Sequence, residues 1–111
     1  MDTETIQNET SAKIAALNDA ARSNAVNYMT TRGVVSLEPE VLSDIFIGVQ
    51  EFSDFTEDND PYGEHDFGAL SVAGHRVFWK IDYYTQDLSG GCDPLDPACR
   101  RIITIMLAKE Y

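Results

Sequence analysis

Apolar residues set the first reading of this chain. From Thr10 to Val26, Ile14, Leu17, Ala21 and Val26 fall near helical spacing, predicting a thinly apolar helix that starts at Thr10 or Ser11. RGVVSL, residues 32–37, is short and β-branched and predicts a strand. EPEVLSDIFIGVQEF follows, with Pro39 at a first-turn position and Val41, Leu42, Ile45, Val49 and Phe52 in one stripe; it predicts a helix over about 38–55. In DFGALSVAGHRVFWKIDYY, residues 66–84, apolar and polar positions alternate around Gly74-His75. That pattern predicts a hairpin with a type II′ turn, pairing Val72 with Val77, Leu70 with Trp79, Gly68 with Ile81 and Asp66 with Tyr83. Val77, Trp79, Ile81 and Tyr83 then face a core with Leu70 and Val72, while Phe78, Lys80, Asp82 and Tyr84 face away. Near the end, Asp96 and Pro97 suit a helix start, and the nearly continuous Ile102, Ile103, Ile105, Met106 and Leu107 predict a buried helix behind it.

These elements make an α+β fold in one small domain. About three strands (the hairpin 66–84 and a short strand near 32–37) form a mainly antiparallel sheet, with about three helices on one face. Residues 1–9 are expected to be a flexible N-terminus and 10–111 the folded domain. The 111 residues leave room for a single core, and 43% hydrophobic residues suffice to build it without metal or disulfide. The opening MDTETIQNET has acids where an export signal needs a basic start and an apolar run, and IFIGV and IMLA are too short to span a membrane. A cytoplasmic protein is expected, with Cys92 and Cys99 as free thiols.

Charge changes the picture. Nineteen acids against eight bases give a formal charge of −11, the wrong sign for direct binding to nucleic acid or an anionic membrane. Between Gly33 and His75 lie ten acids and no Lys or Arg. The densest part, TEDNDPYGEHDFG (56–68), holds Glu57, Asp58, Asp60, Glu64, His65 and Asp66. If a metal binds, Glu57, Asp60, Glu64, His65 and Asp66 are its candidate ligands, since hard oxygens with one imidazole suit several divalent ions. Known templates fail: a calcium loop begun at Asp58 meets Tyr62 at position five and Ala69 at twelve, and no His-Glu-x-x-His or phosphate loop is present. Cys92 or Cys99 with His65 or His75 has no local nucleophile signature either, so no catalytic residue is assigned and no cofactor is expected. A structural reading competes strongly, because Asp58, Asn59, Asp60, Pro61 and Gly63 are all turn formers.

The strings DFTEDNDPYGEHDFGAL (54–70), FWKIDYY (78–84) and TIMLAKEY (104–111) resemble an uncharacterised bacterial family, domain of unknown function 3768 (DUF3768). The resemblance runs from about the first helix to Tyr111 and implies no activity, cofactor or site residue. The segment holding Cys92 and Cys99 is less typical of that family, which argues against a shared thiol chemistry.

The residues themselves support three functional classes. The first is a non-enzymatic binding protein whose acidic surface (Glu40, Asp44, Glu51, Asp54, Glu57, Asp58 and Asp60) meets a protein partner with a basic surface. Small acidic inhibitors of nucleic-acid-handling defence systems, of the anti-restriction and anti-CRISPR kind, share this charge and size. The second is a small metal-assisted, hydrolase-like enzyme centred on 57–66. The third is a homo-oligomeric structural protein associating through Phe78, Tyr84 and the open face of its sheet. The first ranks highest because neither a nucleophile nor a complete ligand set can be assembled.

Overall fold

The computed structural model describes residues 3–111. Its elements are α1 (Thr3–Arg22), β1 (Tyr28–Thr30), α2 (Arg32–Val35), α3 (Pro39–Gln50), β2 (Phe67–Val72), β3 (His75–Tyr84) and β4 (Arg100–Leu107). The fold is α+β, as expected, but the sheet has four strands rather than about three and is mixed, in the order β1-β4-β3-β2. β1 runs parallel to β4, and the other neighbours are antiparallel. Val34 from α2 and Ile45 and Val49 from α3 join Val77, Trp79, Ile81, Ile103, Ile105 and Leu107 in one core, with Ala21 of α1 against it. All three helices therefore serve the same sheet face. The α3 stripe and the inward set of the hairpin are as the periodicity predicts, except that the helix stops at Gln50 rather than near 55 and Phe52 packs from beyond its end.

Four further expectations are corrected. The first helix begins at Thr3 rather than Thr10, and it ends at Arg22, before Val26; residues 1–2 of the expected flexible segment lie outside the described residues. RGVVSL is not a strand but holds the single helical turn α2, while the strand on that side is the preceding YMT. A distant carboxylate explains the difference. Glu110 accepts from the Gly33 amide at 3.0 Å, the Thr31 hydroxyl at 2.6 Å and the Leu107 amide at 2.9 Å, clamping the turn to the end of β4. These donors hold the Glu110 carboxyl below its ordinary pKa, the Thr31 hydroxyl most of all.

The expected C-terminal helix is instead β4, which lies between β1 and β3. A strand paired on both edges can be apolar on both faces, so its continuous run mimics a buried helix. Asp96 does cap, but it caps a turn, accepting from the Ala98 amide at 2.9 Å.

The hairpin register is the fourth correction. Val72 pairs with His75, Leu70 with Val77 and Gly68 with Trp79, and the loop is Ala73-Gly74. Both loop residues have positive φ, 50° and 81°, which is a type I′ turn whose twist matches the strands. The shift is two residues, so every side chain keeps its predicted face. Gly68 has a steric role here: a Cβ would sit 2.4 Å from the indole nitrogen of Trp79, which is fully buried.

Ala73 is an exposed L-residue in the left-handed region. Replacing it with Asn, which tolerates that region, should raise unfolding free energy by about 0.5–1 kcal/mol in a denaturant titration. A variant no more stable than wild type would show that the turn stores no such strain.

Candidate functional site

Among the described residues, the side of α1 that meets the sheet is polar at two of its four buried positions: Ile14, Ala15, Asn18 and Arg22. Asn18 has no exposed surface. Its amide nitrogen donates to the Glu64 carbonyl and the Tyr83 hydroxyl, both at 2.9 Å, and its oxygen accepts from Arg101 Nε at 2.7 Å. Arg101 lies over the Tyr83 ring at 5.1 Å and donates to the carbonyls of Pro94 and Asp96. One turn along, Arg22 donates to the carbonyls of Val49 and Phe52 at 3.0 Å each and to Asp19 at 2.7 Å. Its guanidinium stands over the Trp79 and Phe55 rings at 5.0 and 5.5 Å.

Asp19 leads to His65. The imidazole Nδ1 is 2.9 Å from Asp19, its Nε2 is 3.8 Å from Asp60, and its ring stacks flat on Phe55 at 3.8 Å. His65 adopts φ 56°, uncommon for a side chain with a Cβ. The chain around it is specified bond by bond. Asn59 accepts from the Thr56 amide at 2.8 Å and donates to the Asp54 carbonyl at 2.8 Å, while Asp60 accepts from the Glu64 amide at 3.1 Å and the His65 amide at 3.3 Å. Gly63 closes the turn at φ 68°. The turn-former reading of residues 58–63 is what this geometry supports.

Burial shapes the acids here. The Glu64 carboxyl is pushed above its ordinary pKa by burial first, then by Asp66 and Asp60. Asp66 is raised for the same first reason, with Asp60 and Asp82 adding to it and a backbone hydrogen bond and His65 opposing. The Tyr83 phenol is raised by burial, against the Asn18 hydrogen bond that lowers it.

The five candidate metal ligands are therefore divided. Glu57 is exposed, Asp60 is buried at 8% exposure, and Glu64, His65 and Asp66 are half-buried. Among the described residues no three His, Cys, Asp or Glu side chains are arranged to hold a metal ion. Thiol nucleophiles fare no better. Cys99 is buried against the Tyr84 carbonyl at 3.6 Å, and burial followed by its hydrogen bond with Cys92 pushes its pKa up to about 11. His65 is already occupied by Asp19 and Asp60.

The acidic surface is more coherent. Glu40, Asp44, Glu51, Asp54, Glu57 and Asp58 are exposed, on α3 and the loop behind it. Among the described residues none of the six has an ion-pair partner; the ion pairs are Arg22–Asp19, His65–Asp19, His65–Asp60 and Lys80–Asp82. Asp60, expected on this surface, is a correction: the two amides it caps hold it inside the loop.

A family model described as protein of unknown function (DUF3768) matches residues 30–110. The chain belongs to that family. No curated protein and no solved structure matches it. The stretch matched to DUF3768 holds β2, β3, β4, α2, α3 and the acidic loop, whereas α1 lies ahead of it. Periodicity alone misses the α1 contribution, namely Asn18, Asp19 and Arg22, and with it Arg101. One signal is present: Ile14, Asn18 and Arg22 are four apart and share a helix face.

Two substitutions check the loop. A Cβ at Gly63 would meet nothing within 4 Å, so Gly63→Val tests backbone strain alone and should cost about 1–3 kcal/mol in thermal unfolding. An unchanged melting temperature would refute a specified turn. Asp66 ionises less readily folded than unfolded, so it favours folding most below the ordinary carboxylate pKa, and this contribution is lost as pH rises through its folded value. Asp66→Asn should therefore melt higher than wild type at pH 7, with the advantage fading below about pH 4. A gain independent of pH would point to some other cause.

Proposed function

We propose that this DUF3768 protein is a non-enzymatic acidic binding protein that engages the basic surface of a protein partner through Glu40, Asp44, Glu51, Asp54, Glu57 and Asp58. The observation that carries the reading is that these six carboxylates are exposed together with no ion pair among the described residues. Unpaired surface carboxylates of one sign repel each other, and a protein needing only solubility does better with mixed signs. A basic partner relieves that repulsion, speeds encounter and sets orientation. A catalytic reading has less support, because His65, Asp60 and Cys99 are engaged in internal contacts.

The finer reading takes the protein as cytoplasmic and its partner as a nucleic-acid-handling protein, including those of defence systems. Such a partner carries a basic groove shaped for a polyanion spaced at about one charge per 1.7 Å of duplex axis, and an acidic edge competes for it. No helix of the described residues is long and apolar enough to cross a membrane.

The triple variant E51K/E57K/D58K tests the surface. All three positions are exposed, so far-UV circular dichroism and melting temperature should stay near wild type. A protein recovered from native-host lysate by wild type should be released as salt rises and should not be recovered by the variant. Equal recovery by both, at equal salt, would reduce these acids to a solvated face.

A further inference from the structure

Among the described residues no helix covers the other face of the sheet, where the Phe78 ring packs against those of Phe67 and Tyr111 at 5.4 and 5.5 Å. Strand alternation sends Phe78, Lys80, Asp82 and Tyr84 of β3 to that side, with Ile102 of the adjoining β4 and Met29 of β1. Met29 is 57% exposed. Met29, Tyr84, Leu88 and Ile102 wall an open depression of about 370 Å³ beside Lys80 and Asp82. The charge balance here is the reverse of that on the helical side. Among the described residues Asp82 is the only acid on a strand, and the bases facing this way are Arg76, Lys80 and Arg100.

The outward residues of β3 read aromatic, cation, anion, aromatic, a pattern that complements itself when reversed. A two-fold axis lying between two such sheets, parallel to them and perpendicular to β3 at the level of Ile81, exchanges position 80 with 82 and position 78 with 84. Lys80 of each copy then lies over Asp82 of the other, and Phe78 over Tyr84, so all four central contacts are favourable in a single arrangement. Lys80 and Asp82 are already 3.3 Å apart within one chain, with both side chains about two-fifths exposed, so neither must leave a buried partner. An antiparallel crossing of two twisted sheets is also a standard sheet-on-sheet packing.

We infer that this sheet face is a two-fold self-association surface, its occupant a second copy of this chain centred on the Lys80–Asp82 pair. Two bodies of formal charge −11 repel through most approaches; here the acidic edge of α3 and its loop is kept away from the contact. The inference is independent of the proposed partner surface, since it uses none of those acids.

Charge reversal tests both the surface and the two-fold geometry. By light scattering on a sizing column, wild type should run at twice the chain mass at high concentration and dissociate on dilution. K80E and D82K should each shift toward monomer, because each places like charges opposite one another. Mixing K80E with D82K should restore the dimer as a heterodimer. The carboxylate introduced at position 80 of one chain then faces the ammonium introduced at position 82 of the other, and the two unaltered residues, Asp82 and Lys80, face each other as well. A variant that failed through misfolding could not be rescued by mixing. Monomeric wild type at high concentration, single variants that dimerise as wild type does, or a mixture that stays monomeric would each overturn the inference. So would tighter self-association by D82K, the mark of a simple basic patch seeking an acidic partner.

Discussion

The buried guanidinium of Arg22 is the joint on which the helical layer depends. At 4% exposure it ties down the end of α3 by donating to the carbonyl of Val49 in the last turn and to that of Phe52 just beyond it. It also ties α1 to the flat faces of Trp79 and Phe55. The ion pair with Asp19 matters less, because Asp19 is nearly half exposed and such pairs contribute at most about 1 kcal/mol. The carbonyl bonds and ring contacts carry most of the weight, since withdrawing the cation would take the guanidinium donor from the Phe52 carbonyl, at about 1–3 kcal/mol, while Val49 keeps the Phe52 amide. The arrangement is not fully satisfied, as Arg22 Nε and Trp79 Nε1 are buried without hydrogen-bond partners among the described residues.

From that joint the loop inherits its order. Phe55 is held under Arg22, His65 stacks on Phe55, and Asp19 bridges Arg22 to the imidazole. A run of acids that would repel itself in open solution is thereby divided in two. Asp60 turns inward to serve as an acceptor for backbone amides, and Glu64 and Asp66 sit where burial disfavours their charge. Glu57 and Asp58 remain in water. One stretch of similar composition thus contains structural carboxylates and surface carboxylates, separated by which amides lie within reach.

That division explains what could be read in advance. α3 and the facing of the hairpin were legible because each depends on local periodicity, and even a two-residue error in register leaves alternation intact. β4 was not, since Ile102 to Leu107 are apolar for a reason lying far off in sequence: β1 on one side and β3 on the other. Its β-branched Ile102, Ile103, Thr104 and Ile105 were the available hint. α2 was hidden similarly, because the group fixing its first turn is Glu110. In the site, Gly63 and Asp60 could be inferred from turn chemistry, but Asn18 and Arg22 had the composition of a solvent-facing helix. Only the packing against Tyr83, Arg101 and Trp79 gives those residues their meaning.

Cation placement decides where the negative charge is felt. Eight bases cannot neutralise nineteen acids anywhere, but their positions determine where the deficit falls. Arg22 and Arg101 are withdrawn into the interior, where they answer carbonyls, Asn18 and the neighbouring Asp19 rather than the acids of α3 and its loop. Arg76, Lys80 and Arg100 project from the far side of the sheet. The edge formed by α3 and its loop is therefore left without compensation, because folding assigns the cations elsewhere. An acidic chain with evenly mixed cations would present the same weak field in every direction. This one gathers unpaired acids along α3 and its loop and leaves an aromatic sheet face uncovered by helices on the other side.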